Sequence, residues 1–501
     1  VKQELESRLG RERNAEVLAD LKILVASVDR AIRRSQLEED KQVPFLNVAE
    51  HVFGGVRSLL DDRVVPARRQ AAVARLSAYV GKNGGRPLTV FAREETSAAL
   101  SDKKRTAPSK MMVEKALQNS SVLTDGIEKL FQKYAVVGYE PALAEYKKQL
   151  GEYDAWLKTE LLPRSRADFR LAPEIYAMQL EWAGVDLAPQ QIAELGHKGF
   201  AEIRSELETV AGAVARERKL PKADYRDVIR ELKKEQIADS EILPLYEKTL
   251  AALETVIERE HLVTLPKRAA KIRLATKAES AKSPAPHLDP PRLIGNSGEP
   301  GEFVLPLSIP PAPGKKETKL DDFSFTAATW TLTAHEARPG HELQFTSMVE
   351  SKVSTARAVF AFNSANVEGW GLYSEYITRP FMPTEGQAIS LVYRLHRAAR
   401  AFLDPELHMG KITPQAAREF LVKEVGLSEA FANSEVERYT FHMPGQATAY
   451  FYGLTRLLET RKAVEERLGA KFDVQKFNDF VLSKGLMPPS LLREAALAEL
   501  R

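Results

Sequence analysis

The sequence has no cysteine among its 501 residues, which excludes disulfide bonds, thiolate metal ligands and a cysteine nucleophile. It also lacks any apolar run approaching the ~18 residues of a membrane-spanning helix. Neither positive nor negative charge predominates, because 72 basic and 69 acidic residues leave a formal net charge of +3. We therefore expect no nucleic-acid partner and no transmembrane segment. The composition leaves the oligomeric state open.

Common nucleotide-binding and serine-hydrolase motifs are absent as well. The sequence contains neither the phosphate-binding pattern GxxxxGKS/T nor the dinucleotide pattern GxGxxG. The segment GNSGE at 295–299 lacks the second glycine of the GxSxG nucleophile elbow. These absences give little support to nucleotide-dependent or serine-hydrolase chemistry.

Most of the sequence has the periodicity of amphipathic helices. In residues 15–34, AEVLADLKILVASVDRAIRR, apolar residues recur at intervals of three and four. The polar run 92–109 instead indicates a surface loop. The sequence therefore predicts a mainly α protein, with further helices at 66–80, 110–135, 141–160, 189–217, 222–236, 241–262, 322–350, 364–378, 386–403, 413–424, 428–436, 444–467 and 475–484.

The composition changes near residue 270. Residues 267–278 have the pattern of a short strand, and 284–313 contain nine of the 28 prolines. Within this proline-rich segment, GEFVLPL at 301–307 alternates like a strand, and Pro306 would confine that strand to a sheet edge. Such an edge could bind an extended substrate through backbone hydrogen bonds, or the strand could simply close the loop.

The length of the chain exceeds that of a usual single domain, so we expect one very large domain or two to three lobes. We place a boundary at residue 270, where the composition changes. Residues 1–270 are predicted to form a helical N-terminal lobe. Residues 271–501 are predicted to form the catalytic lobe, in which a small β element at 271–310 precedes the helices of the candidate site.

The stretch TLTAHEARPGHELQF, at 331–345, resembles the zinc-binding pattern HExxH. In HExxH the two histidines fall about 40° apart around a helix, so both can bind one ion. His335 and His341 are six residues apart, which is about 120° on an ideal helix. Pro339 and Gly340 permit a bulge that returns His341 to the side of His335. The alternative is two unrelated histidines near a helix end.

A third ligand and a base follow from neighbouring residues. The segment NVEGWGLYSEY at 366–376 carries Glu368, and Glu375 lies seven residues later on the same helical face. Two histidines and a glutamate with one open position are a known ligand set for hydrolytic zinc, although Glu368 could also be a solvated helical carboxylate. Glu336 points away from its neighbour and is better placed to take a proton from the attacking water.

A third polar segment, EVERYTFHMPGQATAYFYG, spans residues 435–453. Peptide hydrolysis needs donors aimed at the oxyanion, and tyrosine, histidine or arginine can supply them. Arginine can also hold a carboxylate with two parallel hydrogen bonds. The candidates are Arg438, His442 and Tyr450, although tyrosines at helical spacing are more often core or groove-wall residues.

Four segments in one order resemble the motifs of the bacterial DUF885 family, whose members look like zinc metallopeptidases. The segments are HEARPGHELQ (335–344), EGWGLYSE (368–375), RAARAFLDPELH (397–408) and RYTFHMPGQATAY (438–450). Asn478 departs from the family pattern, in which histidine is common. The family fold is similar to the helical peptidases that include angiotensin-converting enzyme and thimet-type oligopeptidases, which enclose a deep channel between two lobes.

The resemblance implies a role for each candidate residue. By this likeness His335, His341 and Glu368 bind one zinc ion per chain, and Glu336 is the general base. Tyr450 and Arg438 then become the oxyanion and substrate contacts. Four further positions match the family without a clear role: Arg397, Arg400, Asp404 and His408.

We therefore expect a zinc-dependent peptidase that hydrolyses short peptides, since a helical channel excludes folded proteins. One alternative is a metal-dependent hydrolase of a non-peptide amide or a modified natural product. Another is a peptide-binding protein with a degenerate site. Because the sequence begins at Val1 and not at methionine, we expect an upstream segment to have been removed. This favours export, as a periplasmic, lipid-anchored or secreted protein, over the cytoplasm.

Overall fold

The computed structural model describes residues 1–309, 318–319 and 321–501. These residues are mainly α-helical, which confirms the predicted fold class. Among them, no helix is both long and apolar enough to cross a membrane. The helices, α1 to α22 in chain order, are Lys2–Leu9, Ala15–Lys41, Val48–Arg57, Pro66–Arg69, Ala71–Tyr79, Leu88–Ala99, Lys110–Lys133, Glu140–Trp156, Pro173–Ala183, Pro189–Glu217, Tyr225–Lys233, Asp239–Arg259, Lys277–Lys282, Ala328–Leu332, His341–Glu350, Ser364–Thr378, Thr384–His408, Pro414–Phe420, Glu429–Glu437, Ala449–Leu468, Val474–Ser483 and Pro489–Glu499.

One predicted loop is helical. Helix α6, Leu88–Ala99, occupies the first part of the segment 92–109, so the prediction of a loop there is wrong. Its buried residues recur at intervals of three and four but are small or polar, which makes the periodicity weak in the sequence: Thr89, Ala92, Thr96 and Ala99. The tertiary contacts of this face select the helix.

The β structure before the HE segment is a sheet of three strands, β1 Lys271–Leu274, β2 His287–Asp289 and β3 Glu302–Leu305. Strand β3 lies in the centre, because it pairs with β1 in parallel and with β2 antiparallel. The prediction that 301–307 forms an edge strand is therefore wrong. Pro306 follows the last residue of β3, so its missing N–H removes no bond from the ladder. Both sides of β3 are occupied, and an extended substrate cannot pair with it.

A second pair of strands follows, β4 Ser308–Ile309 and β5 Thr318–Lys319, which are antiparallel. Strands β1 to β4 lie within the β element predicted at 271–310, whereas β5 lies beyond its last residue, Pro310. That residue and the last prolines of the proline-rich segment lie outside the described residues.

Helix α17 forms the centre of the region around the candidate site. Every residue from 388 to 405 is buried, although a helix buried on all sides is normally apolar throughout. This helix instead carries five arginine, histidine and aspartate side chains in its buried stretch: Arg394, His396, Arg397, Arg400 and Asp404. Buried charges are costly unless they are paired or bind a ligand, so each of them requires a partner.

Two close helix contacts hold α17 and the neighbouring α16 in place. Helix α10 packs along α17, and α16 packs along α20. A Cβ atom added at Gly369 in α16 would lie 2.6 Å from the carbonyl carbon of Gly453 in α20, so this approach requires glycine. One apolar core includes side chains from both 176–250 and 272–452. The lobe boundary at residue 270, and with it the deep channel, stays a prediction.

Candidate metal centre

The HE segment is not one continuous helix. Helix α14 runs into a π-helical turn at Thr333–Ala337, and the chain leaves helical geometry at Arg338, where φ is −125° and ψ is 133°. Helix α15 then starts at His341. The prediction of one helix over 322–350 is therefore wrong, whereas the predicted interruption at Pro339 and Gly340 is present.

The interruption is closely packed. A Cβ atom added at Gly340 would lie 1.8 Å from the carbonyl oxygen of His335 and 2.4 Å from that of Ala334, so no larger residue fits. From α16, the indole N–H of Trp370 donates to the carbonyl oxygens of Pro339 at 2.9 Å and Gly340 at 3.2 Å. These contacts fix the direction in which α15 begins.

As a result the two imidazoles of His335 and His341 meet, which is the arrangement that the sequence predicts. Their ring centroids are 4.6 Å apart, and their Nε2 atoms lie 3.5 Å and 3.3 Å from Glu368 Oε2. Donor atoms around a tetrahedral zinc ion are about 3.4 Å apart, given bond lengths near 2.1 Å. A Cβ atom at Gly371 would lie 2.6 Å from Cε1 of His335, so glycine makes room for the imidazoles against α16.

One of the three donor atoms also lacks a hydrogen-bond partner, as a metal ligand should. Glu368 Oε2 is buried and has no partner among the described residues, and the same holds for His341 Nδ1, the ring nitrogen on the far side from Glu368. Burial alone would raise the pKa of Glu368, but the close approach and charge of the two imidazoles hold that pKa well below its usual range. Orphaned buried donors and acceptors are rare in folded proteins. The three side chains therefore fit a divalent cation.

Glu375 orients the first histidine. His335 Nδ1 lies 2.7 Å from Glu375 Oε1, and the hydroxyl of Thr331 donates to Glu375 Oε2 at 2.8 Å. Since a carboxylate can only accept, Nδ1 donates its proton to Glu375, and Nε2, which faces Glu368, is the nitrogen that would bind a cation once its own proton is released. Burial alone would lower the pKa of His335, but its bonds to Glu368 and Glu375 raise that pKa to about 9. This negative potential favours a cation.

Glu336, the predicted base, lies on the π-helical turn beside His335. Its side chain lines a cavity next to the histidine cluster and is buried. Its Oε2 atom has no hydrogen-bond partner in the described part of the chain. A free carboxylate at this place can accept a proton from a molecule in the cavity.

Tyr450 and Arg438 line the same cavity. Arg438 Nη2 donates to the hydroxyl of Tyr450 at 3.0 Å, and the Tyr450 ring lies nearly parallel to that of His335, with centroids 6.3 Å apart. Burial raises the pKa of Tyr450 although the charges of Arg438 and Arg400 oppose it. The hydroxyl therefore keeps its proton and can donate it to a hydrogen bond.

His442 does not join this group. It ends the π-helical turn Arg438–His442 that follows α19, and its side chain is exposed. Among the described residues it is not part of the cavity lining. Its predicted contact with the oxyanion therefore does not fit this placement, because the turn directs Arg438 inward and its last residue toward solvent.

Arg400 belongs to a buried network centred on Glu435, a residue that the sequence interpretation missed. Arg400 donates to both carboxylate oxygens of Glu435, at 2.6 Å and 2.9 Å. His396 Nε2 lies 3.0 Å from Glu435, and the Tyr439 hydroxyl donates to it at 2.7 Å. The network fixes the position of α19 on α17, and Glu435 shows no local sequence signal beyond its place before the RY motif.

Asp404 and His408 hold segments of the chain together. Asp404 accepts hydrogen bonds from the Tyr176 hydroxyl at 2.8 Å and from the backbone N–H of Gly445. His408 Nδ1 accepts from the backbone N–H of Leu171 at 3.1 Å, so its Nε2 carries the proton and faces the carbonyl oxygen of Tyr439 at 2.9 Å. Both side chains thus have structural partners and lie outside the cavity lining.

Asn478, where the family pattern has histidine, is also satisfied locally. It accepts a hydrogen bond from the Tyr373 hydroxyl at 2.9 Å and donates to the carbonyl oxygen of Leu262 at 2.8 Å. Among the described residues it forms no hydrogen bond with His335, His341 or Glu368, so the departure from the pattern leaves the histidine cluster intact.

A second group of carboxylates, Asp61, Asp289 and Glu302, is compact enough to hold an ion by distance alone. Arginines occupy it instead. Arg63 bonds Asp61 at 2.8 Å and Asp289 at 3.1 Å, and Arg273 bonds Glu302 at 2.7 Å. Burial alone would raise the pKa of Asp61, but the Arg63 guanidinium lowers it to about 2. This group is an ion-pair network that joins α3 and the following turn to the sheet.

Solved structures of other bacterial proteins have the same fold. A solved chain described as a "putative lipoprotein" from Colwellia psychrerythraea is similar with a TM-score of 0.72 and 20% identity, over 88% of this chain and 78% of that chain. A "putative lipoprotein of unknown function" from Shewanella oneidensis is similar with a TM-score of 0.72 and 17% identity, over 99% of this chain and 91% of that chain.

A "putative oligoendopeptidase F" from Bacillus anthracis str. Ames aligns over 99% of this chain with 10% identity, but its TM-score of 0.28 is too low to show a common fold. No curated protein matches this chain. Residues 2–495 match the family described as "Bacterial protein of unknown function (DUF885)", and the chain therefore belongs to that family, as its four sequence motifs predict.

Proposed function

We propose that this protein is a zinc-dependent peptidase that hydrolyses short peptides. The observation that carries the proposal is the convergence of three buried donor atoms, from His335, His341 and Glu368, within 4.8 Å of one another. The free carboxylate of Glu336 lies on the same turn as His335. When bound, the zinc ion supplies a Lewis acid and lowers the pKa of water toward neutrality.

The residues of the chain supply the proton transfers and the oxyanion contact. Glu336 takes a proton from the attacking water and later delivers it to the leaving nitrogen, a role worth about 10²- to 10⁴-fold in rate. The hydroxyl of Tyr450 donates a hydrogen bond to the oxyanion of the tetrahedral intermediate. Arg438, which donates to that hydroxyl, holds Tyr450 in position.

Burial of the site limits the size of the substrate. The side chains of His335, Glu336 and His341 are all buried. The surface of a folded protein cannot reach atoms at this depth, whereas an extended peptide of a few residues can. This supports short peptides as the substrate class.

Mass spectrometry of a peptide mixture tests the proposal. The purified chain is incubated with peptides of three to ten residues before chelation, after chelation, and after zinc is returned. We expect cleavage in the first and third samples and none in the second. Bound zinc without any peptide cleavage would instead favour a non-peptide amide substrate, and absence of bound metal would favour a degenerate binding protein.

We also propose that the protein acts outside the cytoplasm. The two similar solved chains are each described as a "putative lipoprotein", and lipoproteins are exported. Fractionation of cells that express the full-length gene tests this, because recovery of the chain in the cytoplasmic fraction alone would contradict it.

A further inference from the structure

The cavity beside the histidine cluster contains three guanidinium groups. Its lining includes Arg397, Arg400 and Arg438, together with His335 and Glu336. All three arginines are largely withdrawn from solvent, with side chains 9%, 4% and 18% exposed respectively. Guanidinium groups at this depth require acceptors, because arginine stays charged in proteins.

Two of these arginines already have acceptors. Arg400 donates to both oxygens of Glu435, as described above. Arg438 donates to Gln446 and to the Tyr450 hydroxyl, and its Nη1 atom lies 3.5 Å from Glu435. Their charges are paired with Glu435 in the network that joins α17, α19 and α20, although the Nε atom of Arg438 is buried without a partner among the described residues.

Arg397 is different. It donates from Nη1 to the carbonyl oxygen of Tyr393 at 3.2 Å, and its Nη2 atom is 3.7 Å from Glu375 Oε1, beyond hydrogen-bond distance. That oxygen is already bonded to His335. The Nε atom of Arg397 is buried and has no partner among the described residues. Arg397 therefore lines the cavity with no carboxylate within hydrogen-bond distance and with its Nε donor unsatisfied among the described residues.

The charges around the cavity favour the binding of one anion. Four carboxylates line it or bond to its lining, from Glu336, Glu368, Glu375 and Glu435. With a divalent ion bound, the charges of the three arginines, the ion and these four carboxylates add up to one net positive charge. His396 adds none, because burial and the Arg400 charge lower its pKa to about 3. A substrate with a single negative charge balances the cavity.

The position of Arg397 determines how far the bound anion lies from the bond that is cleaved. One carboxylate, Glu375, lies between the guanidinium and the Nδ1 side of His335. The cavity that Arg397 lines also contains Glu336, the proposed base. A carboxylate bound by Arg397 is therefore attached close to the bond that is cleaved, within a residue or two along a peptide.

We propose that Arg397 binds the free C-terminal carboxylate of the substrate, so that the enzyme removes residues from the C-terminal end of short peptides. The planar fork of arginine matches a carboxylate with two parallel hydrogen bonds. This inference rests on the proposed peptidase function and adds to it the end of the peptide that is recognised.

The first test compares two substrates of one sequence, a peptide with a free C-terminal carboxylate and the same peptide as its C-terminal amide. We expect kcat/KM for the free acid to exceed that for the amide by about 100-fold, the scale of a charged hydrogen-bonded pair. Equal rates for the two peptides would overturn the inference while leaving the peptidase proposal intact. Cleavage of neither peptide, or of any other peptide in a mixture, would count against the peptidase proposal itself.

The second test uses variants. In Arg397→Gln the ratio of the two kcat/KM values should fall from about 100 to near 1. A role of Arg397 that acts only through Glu375 and His335 would lower both rates and leave the ratio unchanged. Arg394→Gln is the matched control, because Arg394 lies on the same helix and is equally buried, 7% exposed, but does not line the cavity. Its ratio should stay near that of the wild type.

A binding measurement gives a readout that does not depend on turnover. Zinc-loaded Glu336→Gln protein is titrated calorimetrically with the free acid and with the amide. We expect the acid to bind about 100-fold more tightly. Equal affinity would overturn the inference, as would preference for an amide peptide with an acidic side chain, because the cavity would then recognise a side chain and not the chain end. This measurement stands even if Arg397→Gln fails to fold.

Discussion

Two clusters of metal-ligating side chains in this protein each have their donor atoms within 4.8 Å of one another but differ in what surrounds them. In the first, Glu368 contacts two histidines, and buried donors and acceptors remain without partners among the described residues. In the second, Asp61, Asp289 and Glu302 are bonded by arginines. Distance alone therefore does not distinguish an ion site from an ion-pair network. What distinguishes them is whether the oxygen and nitrogen atoms already have hydrogen-bond or ion-pair partners.

The difference has a simple physical cause. An arginine beside a carboxylate neutralises the carboxylate's charge and forms hydrogen bonds with the lone pairs of its oxygens. A metal ion therefore gains little by binding there. An imidazole whose Nδ1–H is held by a carboxylate, as in His335, has only Nε2 to offer a cation, after that nitrogen has released its proton. The first cluster is thus arranged for an ion, and the second for stability of the contact between α3 and the sheet.

The largest expected effect is on catalysis by the first cluster. Glu336→Gln should lower kcat by roughly 10³-fold while zinc stays bound, because Glu336 is a base and not a ligand. Peptide hydrolysis and zinc content are measured on the same sample. Glu302→Gln in the second cluster is the matched control and should retain activity. Wild-type turnover in Glu336→Gln would show that another group accepts the proton.

Removing the oxyanion donor should have the next largest effect. Tyr450→Phe keeps the ring between Arg400 and His335 but removes the hydroxyl, so kcat should fall by about 10²-fold with KM nearly unchanged. Steady-state kinetics on one peptide separates the two constants. A change confined to KM would place Tyr450 in substrate binding and not at the oxyanion.

Loosening the orientation of His335 should weaken metal binding to a smaller degree. In Glu375→Gln the acceptor for Nδ1–H is weaker, so the zinc dissociation constant should rise about 10- to 100-fold. Competition with a chelating dye measures it. Asp289→Asn, an equivalent change in the second cluster, should leave zinc affinity unchanged, and an equal loss there would contradict the distinction between the clusters.

Low pH should remove a modest amount of the folding stability that the second cluster contributes. Because the folded-state pKa of Asp61 is lowered to about 2, its contribution is present above its unfolded pKa near 3.9 and is lost as the pH falls through about 2. Urea unfolding should show Asp61→Asn to be less stable than wild type by about 2 kcal/mol at pH 6. The difference should disappear as the pH approaches 2, and a pH-independent difference would rule out this charge effect.

Local sequence patterns predicted what depends on neighbours along the chain. Helical periodicity identified most helices, and Pro339 and Gly340 predicted the interruption that brings His335 and His341 together. Glu368 was predicted from its motif, and the structure places it against both histidines. The roles of these residues as ligands stay predictions until the metal is measured.

What the sequence did not predict depends on partners far away in the chain. Glu375 orients His335 across two helices, and Glu435 collects bonds from α17 and α19, yet neither role is visible in a local pattern. His442 shares a segment with Arg438 and faces the opposite way because of one π-helical turn. Strand β3 was predicted at an edge, since Pro306 indicates where pairing stops but not how many neighbours the strand has.

The most direct measurement of the central claim is anomalous diffraction from crystals of the purified protein, recorded on both sides of the zinc absorption edge. We expect one strong anomalous peak per chain, bounded by His335 Nε2, His341 Nε2 and Glu368 Oε2, and none at Asp61, Asp289 and Glu302. A peak at the second cluster, or zinc-supplemented crystals without a peak at the first, would contradict the account.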